Sequence, residues 1–310
     1  MPSLQQLTGR AKTLLARARR RYAFIDIVAG TFERFSADDA GSYAAGLTYY
    51  TFFSIFPLLL LAGSLLGYLT ADDPELRREL IRKGVNTVPI LRDAFKPDGI
   101  DAIIENRRNL ALSGLVLALY SGSGAVVALE HALNKLHKVE QEPGFMSKRL
   151  RSLKWLAILG VLSVAALGAG SVAGFAEEVL GRGPLVTVLV TVVAVGLAVA
   201  VNTLVFATAY RFLPAVRHSW RQVLPGAVVA AVLFQGLNIG GTAYLARGET
   251  ARNDTFGTFA AAATLLVASY LISQITLLAA EVNLVLADRS GAGTTDDVDR
   301  GGDDGSITNE

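Results

Sequence analysis

Residues 183–210 read GPLVTVLVTVVAVGLAVAVNTLVFATAY, a run of 28 residues that contains no Asp, Glu, Lys or Arg. A bilayer core about 30 Å thick needs roughly 20 apolar residues at 1.5 Å rise per residue, so this run can cross it as a helix. Five further runs lack charge over a comparable length: 40–71, 109–129, 155–176, 222–246 and 255–280. The sequence therefore predicts an all-α, polytopic membrane protein with six transmembrane helices.

The composition supports the same class. Of the 310 residues, 52% are hydrophobic and 18% are charged, against roughly 25% charged residues in ordinary soluble domains. Six such runs leave too little polar sequence to cover a soluble surface, and they lack the period-two alternation of a membrane barrel. There is no cysteine. These features exclude a soluble enzyme as the default, a disordered chain and a disulfide-stapled secreted domain.

The basic residues predict that both termini face the cytoplasm. Counted between the runs, 18 Lys and Arg residues fall on the side of the termini and 11 fall on the other side. Cytoplasmic loops carry the excess of Lys and Arg, so the topology is predicted to be N-in and C-in. Eight of the 11 lie in the long loop 72–108, where eight acidic residues match them.

Three segments outside the runs have characters of their own. Within 1–39, residues 4–22 predict a basic amphipathic helix on the inner leaflet, where anionic lipid would meet Arg17, Arg19, Arg20 and Arg21. Nucleic-acid binding is the rival interpretation, but the apolar face favours the membrane. The loop 72–108 predicts two short helices over the outer mouth of the transmembrane domain 40–287. Residues 288–310 predict a disordered acidic tail.

Two groups of residues are candidates for translocation or gating. Pro57 deletes a backbone hydrogen bond inside the first run, and the resulting kink serves either as a gate element or as a packing bend. A stretch of small residues in the second run either lets a neighbouring helix pack tightly or forms a pliable segment that lines a cavity. The candidates are Tyr49, Tyr50, Ser54, Pro57, Ser121, Gly122, Ser123 and Gly124.

Polar residues at the cytoplasmic ends of three runs predict a buried cluster, consisting of Glu130, Asn134, Arg211, Glu281 and Asn283. Unpaired charges at that depth would cost several kcal/mol, so we expect Arg211 to pair with Glu130 or Glu281. The alternative for each charged residue is that it snorkels to the interface on its own.

No catalytic, cofactor or metal site is predicted. The three histidines do not have the spacing of zinc ligands, and no Walker loop or GxSxG elbow is present. We therefore expect the protein not to be an enzyme, and to need no cofactor.

Five stretches resemble the YihY/BrkB family of inner-membrane proteins. They are AAGLTYYTFFSIFP at 44–57, LYSGSG at 119–124 with the following Leu129-Glu130 and Leu133-Asn134, YRFLP at 210–214, LPGA at 224–227 and AEVN at 280–283. One departure is Ala279-Ala280-Glu281, where Gly-Ala-Glu is usual. The resemblance implies an all-helical, multi-pass protein of the bacterial inner membrane. Some members were once labelled ribonuclease BN, and others are linked to the export of envelope lipid or lipopolysaccharide.

Three functions follow as hypotheses. The first is a transporter or flippase-like protein for a lipidic or amphipathic envelope component, with membrane lipids as its partners and no nucleic acid. The second is a non-transporting scaffold that organises envelope assembly through its outer loop and basic N-terminal helix. The third, a ribonuclease, would need a cluster of histidine and carboxylate ligands that the sequence lacks. The sequence leaves the substrate, the coupling ion and the oligomeric state open.

Overall fold

The computed structural model describes residues 19, 21–69, 75, 107–140, 144–180, 183–247 and 257–300, and this part of the chain consists of helices and the short turns and loops between them. It forms seven helices. They are α1 (Ala23–Ala37), α2 (Ala40–Leu69), α3 (Arg107–Leu136), α4 (Phe145–Leu180), α5 (Pro184–Phe212), α6 (Trp220–Arg247) and α7 (Gly257–Arg300). The prediction of an all-α fold is confirmed.

Apart from Gly183, the described residues of each charge-free run lie in one of the helices α2 to α7. Over the described residues, four helical segments are long and apolar enough to cross a membrane: Leu112–Leu136, Leu185–Phe212, Trp220–Gly241 and Ala262–Ser290. The count of six spans stays a prediction, as does the cytoplasmic side of the termini.

Helices α2 to α7 form a closed ring in chain order. Each helix packs against the next along the chain, and α7 packs back against α2 to complete the ring. Helix α1 is not part of this ring, and it packs against α7 and α2. The closure between α7 and α2 brings the two terminal parts of the chain together.

The core lies at one end of this ring. Fully buried apolar side chains come from the start of α2 (Ala40), the ends of α3 and α5 (Leu133, Leu213), the start of α6 (Ala227) and the middle of α7 (Leu277). Starts and ends alternate, so the helices run up and down, as short connections between neighbours require. We call this end, where α2, α4 and α6 begin and α3, α5 and α7 end, the packed end.

Two parts of the fold differ from the sequence prediction. Helix α1 was not predicted, and it connects to α2 through Asp38 and Asp39 only. Helix α7 continues to Arg300, whereas the tail was predicted to begin at residue 288. Its residues Asp288 and Arg289, the first two of the predicted tail, form ion pairs with α1. Residues 301–310 of the predicted tail lie outside the described residues.

Two further predictions also fall largely outside the described part of the chain. Of the amphipathic helix predicted over 4–22, the structure describes only Arg19, Arg21 and Tyr22. Of the outer loop 72–108, it describes Glu75 and the first two residues of α3. The lipid contact expected at Arg17 and Arg20 and the two outer helices therefore stay predictions.

Candidate functional site

Two carboxylates and one carboxamide are among the fully buried side chains at the packed end. Glu130 and Asn134 lie one turn apart near the end of α3, and Glu281 lies in α7. Ionisable groups inside a membrane protein are costly and commonly functional, so these side chains are the starting point for a site. Each carboxylate meets an arginine from another helix.

Glu130 pairs with Arg151, which projects from the first part of α4. The carboxylate is 0% exposed, whereas the Arg151 side chain is 35% exposed and reaches the site from its edge. Only Oε1 of Glu130 accepts the guanidinium, and Oε2 has no hydrogen-bond partner among the described residues. The pair joins α3 to α4 and leaves one carboxylate oxygen available.

Glu281 has the same arrangement with a different helix. Its Oε2 lies 3.3 Å from Nε of Arg34 in α1, and its Oε1 has no partner among the described residues. Arg34 also pairs with Asp288 through Nη1, and Asp38 lies 4.0 Å from Nε. Arg34 therefore connects one buried carboxylate with two carboxylates nearer the surface, and it holds α1 against α7.

The prediction that Arg211 pairs with Glu130 or Glu281 is wrong. Its guanidinium lies over the rings of Phe212 and Trp220, 5.2 and 4.5 Å from their centroids. The preceding residue, Tyr210, takes the inward position and donates its hydroxyl to the Thr276 carbonyl at 2.8 Å. Successive helical residues are rotated by about 100°, so Arg211 faces away from the carboxylates.

The two asparagines of the predicted cluster bind backbone around the connection between α5 and α6. Oδ1 of Asn134 accepts the Ala215 amide at 2.8 Å, and Oδ1 of Asn283 accepts the Gly226 amide at 2.7 Å. Both contacts span elements far apart in the chain. Asn134 therefore fixes the α5–α6 connection against α3, and Asn283 fixes the first part of α6 against α7.

Gly226 is where α6 and α7 approach most tightly among the described glycines. A Cβ atom at this position would lie 2.2 Å from the Ala279 carbonyl oxygen and 2.6 Å from Asn283 Cγ. Real Cβ atoms do not come so close to backbone, so only glycine fits here. The Asn283 hydrogen bond depends on this close approach.

Two histidines lie beside a small cavity at the packed end. The rings of His137 and His218 are 4.6 Å apart, and they line a cavity of about 20 Å³ together with Tyr210, Gln222 and Asn283. Such a cavity holds about one water molecule. Burial lowers the pKa of both histidines below 6.5, and the nearby His218 and Arg34 lower that of His137 further.

His137 is positioned by the end of α3. Lys138 has a φ of 55°, and the amides of Lys138 and Val139 bond back to the carbonyls of Lys135 and Asn134. This is the hydrogen-bond pattern of a Schellman turn, which ends a helix with a left-handed residue. His137 lies just before that residue, and its Nδ1 is 2.7 Å from the Leu133 carbonyl oxygen.

The predicted gating residues of α2 do not surround either of these features. Tyr49 and Tyr50 are exposed, with Tyr49 in a row of aromatic rings that includes Phe53. Ser54 is buried and donates to the Thr51 carbonyl of its own helix. Pro57 lies inside α2, which continues to Leu69. A gating role for these four residues stays a prediction.

The small residues of α3 are packed against neighbouring helices. A Cβ at Gly122 would lie 3.1 Å from Leu156 of α4, and a Cβ at Gly124 would lie 3.0 Å from Tyr50 of α2. Ser121 and Ser123 donate to carbonyls of α3 itself. Residues 121–124 lie within a continuous helix and contact neighbouring helices. A role of these residues in translocation or gating stays a prediction.

Further ion pairs hold α1 in place. Asp26 pairs with Arg289 of α7 and, at 2.8 Å, with Arg19, which also bonds Glu33 at 2.6 and 2.9 Å. Hydrogen bonds from Arg19 lower the pKa of Asp26 and of Glu33. In the sequence, Arg34 and Arg151 stand only among the basic residues of the side that is predicted to be cytoplasmic. Their spacing in the chain gives no sign of a carboxylate partner, since the partners are 247 and 21 residues away.

The arrangement can exchange protons and move arginines. Each buried carboxylate has one oxygen in an ion pair and one oxygen without a partner, and protonation would weaken its hold on the guanidinium. Among the described residues, no group of three or more His, Asp or Glu side chains is placed to hold a metal ion.

Comparisons with known proteins place these residues in a family context. The family described as virulence factor BrkB matches residues 31–302. An uncharacterised protein of Dickeya dadantii is 27% identical over 80% of this chain and 79% of its own length. The inner membrane protein YhjD of Escherichia coli is 25% identical over 73% and 71%. A Bacillus subtilis protein named as ribonuclease-like, YfkH, is 26% identical over 83% and 94%. No solved structure matches the chain.

Proposed function

Because the chain belongs to the virulence factor BrkB family and is an integral protein of the bacterial inner membrane, we propose that it transports a lipidic or amphipathic component of the envelope across that membrane. In this proposal it acts as a flippase-like transporter without catalytic chemistry of its own. Lipids are the proposed substrate class because they surround a membrane-embedded ring of helices and can reach it by lateral diffusion.

The pair of half-paired carboxylates carries the proposal. Glu130 and Glu281 are both fully buried, and each binds an arginine that belongs to a different helix. A buried ion pair is weak evidence for stability, because its desolvation offsets much of the attraction. Ionisable groups inside a membrane protein are commonly functional, which supports a role of these pairs in ion or substrate movement.

Proton binding supplies a coupling step with named parts. A proton that binds Oε1 of Glu281 or Oε2 of Glu130 neutralises the carboxylate and weakens its bond to Arg34 or Arg151. Arg34 belongs to α1 and Arg151 to α4. Loss of the Glu281–Arg34 pair therefore loosens α1 from α7, and loss of the Glu130–Arg151 pair loosens α4 from α3. Proton uptake would in this way change helix packing at the packed end, driven by an ion gradient.

Transport in reconstituted vesicles tests the proposal. The purified protein is placed in vesicles that contain a fluorescent phosphatidylglycerol, and dithionite bleaches the label in the outer leaflet while a pH gradient is applied. We expect bleaching beyond the outer-leaflet fraction. We expect Glu130→Gln and Glu281→Gln to abolish the excess while helical content stays unchanged.

Asp288→Asn is the matched control, since Asp288 also pairs with Arg34 but is 69% exposed. This variant removes one carboxylate partner of Arg34 and leaves both buried carboxylates unchanged, so it should retain transport. Unchanged transport in both glutamine variants would reject the proton relay. Vesicles with wild-type protein that bleach no further than empty vesicles would contradict transport of this lipid.

The scaffold hypothesis is the second candidate, and one observation on α1 favours it. Phe24, Val28 and Phe32 follow one another at intervals of four residues and are all exposed. Together they form an apolar stripe on a helix that is held against α7 by charge, and such a stripe suits the membrane interface or a protein partner. A scaffold of this kind would need no proton relay.

Deleting residues 1–22 separates the two candidates. A scaffold that works through its basic N-terminal segment loses its effect on the envelope, while the ring of helices remains folded. A transporter retains most of its vesicle activity after the same deletion. The Glu281→Gln variant has the opposite expectation, because it impairs the transporter and leaves the scaffold intact.

A further inference from the structure

An open apolar groove runs between α4 and α5 near the packed end. Its volume is about 630 Å³, within the range of sites that take lipid-sized or drug-sized ligands. The side chains that line it are almost all apolar. They include Trp155, Ile158 and Val161 from α4 and Leu204, Thr208 and Phe212 from α5.

Aromatic rings close one end of the groove. Trp155 stacks on Phe212 with centroids 5.1 Å apart, and Phe212 meets Trp220 edge-on at 5.9 Å. Tryptophan is typical of the membrane–water interface, where its apolar ring and polar N–H meet both environments. The position of these rings therefore marks the depth at which the groove reaches the level of the lipid headgroups.

Two cations lie at the same rings. The Arg211 guanidinium is 4.5 Å from the Trp220 ring centroid, and the Lys154 ammonium is 5.5 Å from that of Trp155. Neither forms an ion pair with an acidic side chain in the described part of the chain. Arg211 thus contacts an aromatic ring at this end of the groove, and not Glu130 or Glu281 as the sequence predicted.

The surroundings offer these cations no carboxylate from the same helices. Residues 143–176 and 179–248 contain no Asp or Glu. Glu140, at the end of the α3–α4 connection, is the nearest acidic residue in sequence to Lys154 that the structure describes. The charge left uncompensated at this end of the groove is positive.

We propose that this groove is a binding site for an anionic phospholipid, with its acyl chain along α4 and α5 and its phosphate at Lys154 and Arg211. The apolar lining needs a hydrocarbon chain and the two cations need an anion, and a phospholipid carries both on one molecule. A soluble phosphate would leave the groove unfilled, and a zwitterionic lipid would bring its own ammonium group next to the two cations. The site does not depend on transport, since it lies on the outer face of the ring.

Tryptophan fluorescence tests this proposal directly. The chain has two tryptophans, Trp155 and Trp220, and both belong to the ring cluster at the groove. The full-length protein is reconstituted in phosphatidylcholine vesicles that contain a small fraction of phosphatidylglycerol brominated on its acyl chains. Bromine quenches only nearby indole rings, so quenching reports lipid in the groove.

We expect brominated phosphatidylglycerol to quench more strongly than brominated phosphatidylcholine at the same mole fraction. Each cation near the headgroup should contribute a preference of about fivefold. Lys154→Gln and Arg211→Gln should each reduce the preference by about this factor. The matched control is Lys135→Gln, which removes an exposed cation at the packed end, on α3.

Several outcomes would overturn the proposal. Equal quenching by the two brominated lipids in the wild type would mean that only ordinary surrounding lipid is present. A loss of preference with Lys135→Gln as large as with Arg211→Gln would mean that surface charge alone attracts the lipid. Relief of quenching by millimolar inorganic phosphate would identify a free anion as the ligand.

A salt titration of the wild type keeps the test valid if a variant fails to fold. High ionic strength weakens exposed charge contacts, so the preference for phosphatidylglycerol should decrease as salt is added. A preference that salt leaves unchanged would contradict a role for Lys154 and Arg211.

Discussion

At the scale of single residues, the pairing of each buried carboxylate with a particular arginine says most about how the helices are held together. Glu281 is completely buried, and its arginine comes from α1 rather than from the ring of helices. The side chain of Arg34 is 27% exposed, so one partner is dry and the other is partly solvated. The carboxylate therefore depends on a helix outside the ring for its neutralisation.

This dependence predicts a non-additive effect on stability. Arg34→Gln leaves Glu281 buried without its cation, and loss of one partner of a buried pair costs about 3–5 kcal/mol. We expect the lower part of that range because Arg34 is partly exposed. Thermal unfolding in detergent measures it. Adding Glu281→Gln should recover more than half of the loss, whereas a double variant whose loss equals the sum of the singles would contradict the pairing.

The two histidines predict a dependence of stability on pH. Burial holds the pKa of His137 and of His218 below 6.5 in the folded protein, so the unfolded chain binds more protons as the pH falls below that value. Stability rises with pH wherever the unfolded state binds more protons, so it should be lost on acidification below about pH 6.5. The unfolding temperature should then be lower at pH 5.5 than at pH 7.5.

Replacing the histidines identifies the source of that dependence. His137→Gln combined with His218→Gln should flatten the curve between pH 7.5 and 5.5, because it removes the two imidazoles whose pKa burial lowers. A double variant with the slope of the wild type would assign the effect to other groups.

At the scale of elements, the contact between α6 and α7 depends on one missing side chain. Gly226→Ala would place its Cβ 2.2 Å from a backbone oxygen of α7, and overpacking of this kind costs about 3 kcal/mol or more. The control is Gly236→Ala in the same helix, where nothing lies within 4 Å. That change should stabilise by about 0.5–1 kcal/mol through helix propensity. Comparable unfolding temperatures for both variants would contradict the close approach.

The helices themselves could be predicted because the length of a charge-free run is a local property. Where the structure describes them, all six runs form helix, and residues 184–210 make up nearly the whole of α5. The side-chain partners could not be predicted in this way, because they depend on the rotation of each helix about its axis. Arg211 illustrates this, since one step of 100° directs it to Trp220 instead of to a carboxylate.

Helix α1 was missed for a related reason. Its apolar positions Phe24, Val28 and Phe32 face outward, and they stand next to the more strongly basic segment 4–22, which dominates the amphipathic pattern. Its charges find partners on α7, about 250 residues away. A contact of that separation leaves no periodic trace in the sequence around Arg34, so only the three-dimensional arrangement reveals it.

At the scale of the whole molecule, the ring places both terminal regions at one end. Helix α1 and the second half of α7 meet through Arg34 and Arg289, and the core lies at the same packed end. An even number of crossings is the simplest way to return the chain to its starting side. The ring of α2 to α7 thus agrees with six crossings, and the basic residues predict that the packed end is cytoplasmic.

Single cysteines can test this topology, because the chain has no cysteine and each introduced thiol is unique. Gly144→Cys and Ser219→Cys lie in connections at the packed end, and Gly183→Cys lies at the opposite end, where α5 begins. In intact spheroplasts, a membrane-impermeant maleimide should label Gly183→Cys and leave the other two unlabelled until the membrane is opened with detergent. Asp98→Cys, in the predicted outer loop, should react like Gly183→Cys. If both Gly144→Cys and Ser219→Cys are labelled in intact spheroplasts, the orientation is the reverse of the predicted one. If only Ser219→Cys is labelled, the chain does not make the two crossings between the two thiols that an up-and-down ring requires.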